Sequence, residues 1–300
     1  MRPMYPPDDA IAVFEEHRIQ LKRLAYRMLG SLAEADDVVQ DAWIRWQRTD
    51  QSVVRNPGVF LKRIVTHLCL DVMKSARAQR EIYVGNWLPE PLVEVEEEPK
   101  TDELTLGLML VLERLSPLER AAFLLHDVFS VSLNDIAETL DRDPAAIRQL
   151  AVRARKHVRA AKPRYSVERD EGEKITLAFF KAATQGDIST LSTMLADNVV
   201  MHADGGGKVH AWLNPIRGAD RIMRLFAGLF RKRYGEAEKL LSFLWIDGLP
   251  GFASLERGNV LQTTALEIRD GKITRIFITR NPDKLQHVAR LLNMSDQHAH

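Results

Sequence analysis

Residues 115–159 constrain the fold of this chain more than any other stretch, because they contain three helical patterns in close succession. Ser116 and Ser132 stand where a side chain can cap a helix, and Pro144 stands where proline is tolerated as a first helical residue. Each start is followed by apolar residues at helical spacing. A short second helix, a tight turn at 141–143 and a third helix predict a helix-turn-helix, a motif that reads DNA.

The third helix of this motif carries a positive face. Gln149, Arg153 and Lys156 lie on one stripe with Arg148 beside it, and residues 142–164 contain eight Lys or Arg and one Asp. Such a helix can enter the major groove and contact both phosphates and base edges. The alternative is a solvent-exposed face of an ordinary helical bundle, which this pattern alone also fits.

Composition limits the remaining possibilities. A chain of 300 residues suggests two or three domains, and a formal net charge of +1 means that any DNA contact must be local. Cys69 is the only cysteine, so thiols can supply neither a disulfide framework nor a metal cluster, and nothing in the sequence predicts a cofactor. No apolar run reaches membrane-spanning length and the N-terminus lacks a secretion signal, which predicts a cytoplasmic location without membrane contact.

Further helical patterns precede the helix-turn-helix. Ser31 is predicted to cap a helix with Asp37, Gln40 and Asp41 on one face, and this face suits a basic protein partner or is simply solvated. A long helix follows after an Asn-Pro turn, and it presents a second candidate nucleic-acid face. The residues on that face are Arg63, His67, Lys74 and Arg77.

The stretches DDVVQDAWIRW and PGVFLKRIVTHLCLDVMKSARAQR, placed before the helix-turn-helix, resemble the extracytoplasmic-function (group IV) sigma factors of the sigma-70 family. The resemblance implies two all-α domains, at residues 8–80 and 105–163, and it implies that Asp37, Gln40 and Asp41 bind core RNA polymerase. It also implies contacts with two promoter elements. The minus-ten candidates are Trp46, Gln47, Arg48, Arg63, His67, Lys74 and Arg77. The minus-thirty-five candidates are Arg148, Gln149, Arg153 and Lys156.

Residues 81–104 differ in composition from the helices on either side. They are rich in proline and glutamate, which predicts an extended linker between the two domains. The acidic residues either imitate phosphate in a nucleic-acid path or keep the linker soluble. Trp87 and Leu88 are unusual in such a linker, and they indicate that it docks on another part of the protein.

Residues 168–292 have a different organisation, in which helices are followed by strands. The predicted helices lie at Lys174–Ala183, Ile188–Leu195, 219–232 and from about Pro282. The predicted strands lie at Val199–Ala203, Val209–Trp212, Leu240–Ile246, Gly251–Leu255, Val260–Ile268 and Ile273–Ile278. We therefore predict an α+β cone with a curved antiparallel sheet and a central cavity. This pattern resembles the SnoaL-like, nuclear transport factor 2-like fold.

Members of that fold include isomerases and cyclases that use an acid and a base in the pocket, so a catalytic interpretation must be considered. The candidate proton-transfer residues are His202, Asp204, His210 and Asp247. The alternative is that Asp204 and the three glycines after it form a turn, and that His202 faces a polar cavity. Because one fold supports many functions, we predict that this protein is not an enzyme.

Three short motifs together resemble one subgroup of these sigma factors, which carries a fused SnoaL-like extension. The motifs are WLPEP (Trp87, Leu88, Pro89, Glu90, Pro91), DGGG (Asp204, Gly205, Gly206, Gly207) and NPDKL (Asn281, Pro282, Asp283, Lys284, Leu285). The resemblance implies that the extension is an attached regulator in place of a separate anti-sigma partner. It further implies that the linker contacts the glycine loop and that the C-terminal motif assists polymerase binding.

The sequence thus predicts a sigma factor that binds core RNA polymerase and promoter DNA and is regulated by its own C-terminal domain. One alternative is a DNA-targeted enzyme or small-molecule sensor in which the cone is the active part. Another is a polymerase-independent repressor, which leaves the acidic face of the second helix without a role. Whether the C-terminal pocket binds a small ligand stays open.

Overall fold

The computed structural model describes residues 7–81, 83–94, 105–159, 167–232, 238–256 and 258–294. The chain divides into two compact units. The first comprises Met1–Ile82 and Met109–Ala161, and the second comprises Tyr83–Leu108 and Lys162–His300. Within the described ranges, every helix is too short or too polar to span a lipid bilayer.

Three helices form the first half of the helical unit. They are α1 (Pro7–Leu29), α2 (Leu32–Gln47) and α3 (Pro57–Glu81). The predicted cap of α2 is confirmed, because the Ser31 hydroxyl accepts a hydrogen bond from Glu34 N at 3.3 Å. Leu24, Leu61 and Val65 are fully buried where these helices pack. Truncating any of the three to alanine would cost about 2–5 kcal/mol for a leucine and somewhat less for the valine.

The second half of this unit is the predicted helix-turn-helix, which is confirmed. Its helices are α4 (Leu106–Leu112), α5 (Pro117–Phe123, continued by a π-helical turn at Leu124–Val128), α6 (Leu133–Leu140) and α7 (Pro144–Arg159). Ser116 and Glu119 form a reciprocal capping box at the start of α5. Ser132 caps α6 by accepting from Asp135 N at 3.2 Å. The boundary between the two units falls within α4.

The second unit contains the predicted α+β fold. Its elements are α8 (Arg169–Gln185), α9 (Ile188–Met194), β1 (Leu195–Asp204), β2 (Ile216–Arg217), α10 (Ala219–Lys232), β3 (Lys239–Ile246), β4 (Leu249–Glu256), β5 (Val260–Arg269), β6 (Lys272–Thr279) and α11 (Pro282–Leu291). The six strands form one sheet in the order β2-β1-β6-β5-β4-β3. The predicted hairpin turn at Asp270 and Gly271 joins β5 to β6, with positive φ at both residues.

Two sequence-based predictions about this sheet are wrong. The sheet is mixed, because β1 pairs with β6 in parallel, with Met201 opposite Ile276. An alternating apolar pattern identifies a strand but does not give the direction of the strand beside it. The direction of β6 relative to β1 depends on the path of the chain between these two strands. Val209–Trp212 is not a strand, because Val209 N bonds to Gly205 O and extends the glycine turn. The antiparallel partner of β1 is β2.

The two faces of the sheet are covered by different parts of the chain. Helices α8 to α10 cover one face, where Phe179, Phe226 and Phe252 are buried. On the opposite face, Leu285 of α11 lies in a second apolar cluster together with Val93, which belongs to residues 83–108. We call residues 83–108 the connector, since they join α3 to the helix-turn-helix. The described part of the connector therefore belongs to the core of the second unit.

Candidate functional site

Asp204, the last residue of β1, is the centre of the candidate regulatory site, and its side chain is fully buried. Its Oδ1 accepts hydrogen bonds from Tyr83 Oη at 2.6 Å and Gly206 N at 2.9 Å. Its Oδ2 accepts from Leu88 N and from Lys284 Nζ, both at 2.8 Å. An ionised carboxylate has about four acceptor sites, so all of them are used. We call these five residues the Asp204 cluster.

Lys284, in the first turn of α11, contacts the connector with the same ammonium group that pairs with Asp204. This group also donates to Leu88 O. It lies 4.9 Å from the ring centre of Tyr83 and 4.4 Å from that of Trp87. A buried ammonium is tolerated only when it is paired and hydrogen-bonded, and here a carboxylate, a carbonyl and two aromatic faces meet that need.

Tyr83, a residue of the connector, contacts both the end of β1 and the residue that precedes α11. Its hydroxyl donates to Asp204 and accepts from Asn281 Nδ2 at 2.9 Å. Burial raises the pKa of the Tyr83 phenol well above its usual value, and the hydrogen bond to the Asp204 carboxylate raises it further. The phenol therefore stays protonated and remains a hydrogen-bond donor to Asp204.

The glycines of the DGGG motif are required by close approaches and by backbone conformation. Gly206 has φ of +62°, and a Cβ there would lie 2.3 Å from Asn281 Nδ2. A Cβ at Gly205 would lie 2.0 Å from Val209 O. Gly207 also has positive φ, and Val84 of the connector packs against it. This loop can approach both the connector and the start of α11 only because it has no side chains.

The remaining motif residues lie around the Asp204 cluster. Pro89 and Pro91 are buried and Glu90 is half-buried. His287 Nε2 lies 2.5 Å from Pro91 O, which adds a contact between α11 and the connector. Asp283 is exposed and forms a surface ion pair with Lys208 at 2.7 Å. The structure thus brings together the WLPEP, DGGG and NPDKL motifs, whereas the resemblance implies contact only between the first two.

The four candidate proton-transfer residues do not form one acid–base set. Asp204 is fully occupied, and Asp247 accepts a backbone N–H of the connector at the β3–β4 turn. His202 Nδ1 lies 3.1 Å from Asn86 Nδ2, whereas His210 is exposed. Among the residues that the structure describes, no group of three or more His, Cys, Asp or Glu is arranged to hold a metal ion.

The acidic face of α2 is at the surface. Asp37, Gln40 and Asp41 are all exposed, and they lie on one side of the helix because they follow the i, i+3, i+4 spacing. Val38 and Val39 point into the core on the other side. This geometry places two carboxylates and an amide side by side on the surface.

The predicted promoter contact of Trp46 is wrong, because this side chain is buried. Its side chain is 1% exposed, and its indole Nε1 donates to Ala10 O at 3.0 Å. The ring also packs against Phe60 at 6.0 Å. Trp46 therefore stabilises the packing of the first three helices, and in this structure it has no surface to offer to DNA.

Four of the other six minus-ten candidates are exposed at the surface. Those that are exposed are Gln47, Arg48, Arg63 and Lys74. His67 is half-buried, and Lys74 forms an exposed ion pair with Asp71 at 2.9 Å. Arg77 belongs to α3, but its side chain lies outside the described residues. On the predicted positive face of α3, Arg63 and Lys74 are therefore accessible.

The polar face of α7 is also accessible. Arg148, Gln149, Arg153 and Lys156 are all exposed. Arg153 Nε lies 3.2 Å from Glu119 Oε1, and Arg153 keeps 60% of its side-chain surface exposed. The opposite face of α7 is buried at Ile147, Ala151 and Ala154. One face therefore holds α7 in the helix-turn-helix while the other is exposed to solvent.

The structure also identifies site residues that the sequence reasoning missed. Tyr83 donates the shortest hydrogen bond to Asp204, and His287 contacts the connector, yet the sequence patterns predict neither as a site residue. Tyr83 stands just before WLPEP in a proline- and glutamate-rich stretch, where an aromatic residue was the one available signal. Nothing local marks His287, because its contact depends on how α11 lies against the connector.

The connector and the glycine loop also enclose a cavity of about 340 Å³. Val84, Gly85 and Asn86 form one wall. Residues 207–213, which include Lys208 and Trp212, form much of the rest. The volume is at the lower end of the range for small-molecule sites.

Comparisons with known proteins agree on the class of this chain. The family described as Sigma-70 region 2 matches residues 13–79, and Sigma-70 region 4 matches residues 106–158. The ECF RNA polymerase sigma factor SigJ of Mycobacterium tuberculosis is 36% identical over 291 residues, which cover 91% of this chain and 92% of SigJ. The probable ECF RNA polymerase sigma factor SigI of the same species is 30% identical over 285 residues, 93% of this chain and 95% of SigI. The crystal structure of M. tuberculosis SigJ superposes with a TM-score of 0.74 at 33% identity, over 92% of this chain and 98% of that one.

Proposed function

This chain belongs to the extracytoplasmic-function RNA polymerase sigma factors, and from that membership we propose that its own C-terminal domain regulates it by binding the connector between sigma regions 2 and 4. The observation that carries this proposal is the Asp204 cluster. One buried carboxylate there binds the connector, the glycine loop and α11 at the same time.

The physical basis of the regulation is the length of the connector. A free chain of the 26 residues from 83 to 108 could extend to about 85 Å. When its described part is bound in the second unit, this reach is lost, and the separation that regions 2 and 4 can adopt on a promoter is restricted. Because the connector is tethered to the domain that binds it, its effective concentration is high and a few contacts are sufficient.

We propose that Asp37, Gln40 and Asp41 contact core RNA polymerase, and that the exposed residues of α3 and α7 contact promoter DNA. The NPDKL motif acts mainly by holding the connector, because Asn281, Lys284 and Leu285 are buried. The protein would act in the bacterial cytoplasm, where RNA polymerase works.

Catalysis by the C-terminal domain is not favoured. The carboxylate of Asp204 is fully hydrogen-bonded, so it has no free acceptor position with which to take a proton from a substrate. Binding of a regulatory small ligand is compatible with the structure, because the connector forms one wall of the cavity beside the Asp204 cluster. A ligand in that cavity would prefer the bound connector, since one wall is missing when the connector leaves.

Run-off transcription with purified core RNA polymerase and the promoter of the protein's own gene tests the regulatory proposal. We expect Asp204→Ala in the full chain to change the amount of transcript, because it releases the connector. Lys208→Ala is the matched control, since it removes an exposed ion pair of the same loop. Equal transcript from Asp204→Ala, Lys208→Ala and wild type would overturn the proposal.

Polymerase binding is tested separately with Asp37→Asn/Asp41→Asn. We expect weaker binding to core RNA polymerase with an unchanged unfolding midpoint, because both carboxylates are exposed. The control is Glu171→Gln/Glu173→Gln, which removes two exposed charges from α8. Equal affinity for the two double variants would refute this assignment.

A further inference from the structure

A second part of the connector, residues 92–94, pairs with the sheet at the end of β3. Leu92 N donates to Asp247 Oδ2 at 3.1 Å, and Asp247 N donates to Leu92 O at 2.8 Å. Glu94 N donates to Trp245 O at 2.9 Å, and Val93 forms an antiparallel bridge with the last residue of β3. Since β3 is an edge strand, these bonds use backbone groups that would otherwise be unpaired.

The β3–β4 turn is shaped to make these contacts. Asp247 and Gly248 have φ of +47° and +71°, the conformation of a two-residue hairpin turn, and Asp247 is 5% exposed. Gly248 N donates to Glu94 Oε1 at 2.8 Å. We call Asp247 and Gly248 the Asp247 turn. Each of the two residues thus contacts the connector, and the Asp247 carboxylate has a binding role.

The same turn also contacts the other described end of the connector. Leu106 N donates to Asp247 O at 3.2 Å, and the side chains of Leu106 and Leu108 are buried. Between them, a Cβ on Gly107 would lie 2.3 Å from Glu267 Oε2. Glu267 is 1% exposed and held by ion pairs to arginines of β5 and β6 at 2.7 and 2.8 Å. The backbone at Gly107 therefore rests directly on a fixed carboxylate.

We propose that the C-terminal domain binds the connector at a second site, formed by the Asp247 turn and Glu267, which holds residues 92–94 and 105–108 independently of the Asp204 cluster. This inference rests on the proposed regulatory function and adds a second step to it. The two sites share no side chain, and interactions without shared partners are usually additive. Opening of the Asp204 cluster therefore leaves the second site occupied.

The order in the chain gives the two sites different consequences. The Asp204 cluster holds residues that directly follow α3, so it restrains the region 2 side of the connector. The Asp247 turn holds Leu106, where α4 begins and leads into the helix-turn-helix. A signal that opens the Asp204 cluster alone would free the region 2 side while the start of region 4 stays bound.

Hydrogen exchange on the full-length chain, followed by mass spectrometry, tests this separation. Asp247→Gly removes the carboxylate that accepts from Leu92 N but keeps the left-handed backbone, so we expect about tenfold faster exchange at 92–94 with no change at 83–91. Asp204→Ala should produce the reverse pattern. Asp247→Asn is the matched control, because asparagine tolerates this conformation and its amide oxygen can still accept from Leu92 N.

Gly107→Leu provides a second variant in case Asp247→Gly fails to fold. Gly107 lies in α4, and its new side chain would collide with Glu267. Equal acceleration of all three segments in either Asp247→Gly or Asp204→Ala would refute the second site, because the connector would then open as one unit. Unchanged exchange at 92–94 in Asp247→Gly, together with unchanged exchange at 105–108 in Gly107→Leu, would refute it as well. Exchange does not depend on transcription, so failure of the regulatory proposal would leave the expected pattern intact.

Discussion

Replacement of Asp204 by alanine is the sharpest test of the regulatory site, because this carboxylate accepts hydrogen bonds from the connector, the glycine loop and α11. The variant leaves the Lys284 ammonium buried without its anionic partner. It also removes the acceptor of Tyr83 Oη, Leu88 N and Gly206 N. Two of these three donors belong to the connector, so its binding is weakened together with the stability of the domain.

The expected size follows from these contacts. Removing one partner of a buried ion pair typically costs about 3–5 kcal/mol. Each hydrogen bond to a charged group contributes about 1.5–3 kcal/mol, and such contributions are not additive within one cluster. The connector loses its hydrogen bonds to Asp204 from Tyr83 and Leu88, so we expect its binding to weaken by about 3 kcal/mol, or roughly 100-fold.

A double-mutant cycle with Lys284→Met measures the coupling in the full chain. Urea unfolding should show each single variant losing about 3–5 kcal/mol, and the double variant losing clearly less than their sum, because it leaves no unpaired buried charge. Lys208→Ala should cost at most about 1 kcal/mol, since Lys208 and its partner Asp283 are each 57% exposed. A coupling energy below about 0.5 kcal/mol would refute the description of Asp204 and Lys284 as a buried pair.

Gly206→Ala should lower the free energy of unfolding by about 2–3 kcal/mol, because the φ of Gly206 is +62° and the new Cβ would collide with Asn281. Gly271→Ala is the control and should cost about 1 kcal/mol, since Gly271 has a similar φ but open space around it. Equal urea midpoints for the two variants would contradict the collision. Arg120→Met should cost about 3 kcal/mol, because this 1% exposed guanidinium donates to the end of α1 and pairs with a carboxylate at 2.6 Å, and an unchanged melting temperature would disprove that role. Arg153→Ala should weaken promoter binding by the polymerase complex by about 1–3 kcal/mol without changing protein stability, and fluorescence anisotropy that gives equal affinity would exclude it as a base contact.

The helices of this protein could be predicted from the sequence because their signals are local. The Ser31, Ser116 and Ser132 caps each use a backbone N–H three residues away, so the pattern and the structure agree there. Only the family resemblance assigns Trp46 to DNA, whereas its helical spacing places it on one face of α2 with Val39 and Trp43, and both Val39 and Trp46 are buried. In this case the periodicity was a better guide to the side chain than the resemblance.

The sheet was predicted less completely, for a related reason. Strand patterning placed β3 to β6 to within two residues, but the parallel pairing of β1 with β6 joins segments about 75 residues apart. The residue types Asp270 and Gly271 were sufficient to predict the hairpin turn between β5 and β6, because a turn depends on only a few neighbouring residues. The same residue types were ambiguous at Asp247, where this kind of turn supplies a side chain that binds the connector.

The sequence by itself determined the helix-turn-helix, the α+β composition of the C-terminal domain and the three short motifs, because caps, turns and periodic apolar faces act over a few residues. Only the tertiary structure decided what Asp204 does. Its partners Tyr83, Leu88 and Lys284 lie 121, 116 and 80 residues away in the chain. A carboxylate followed by glycines is by itself only a turn, and it becomes a buried acceptor when β1, α11 and the connector converge and exclude water from it.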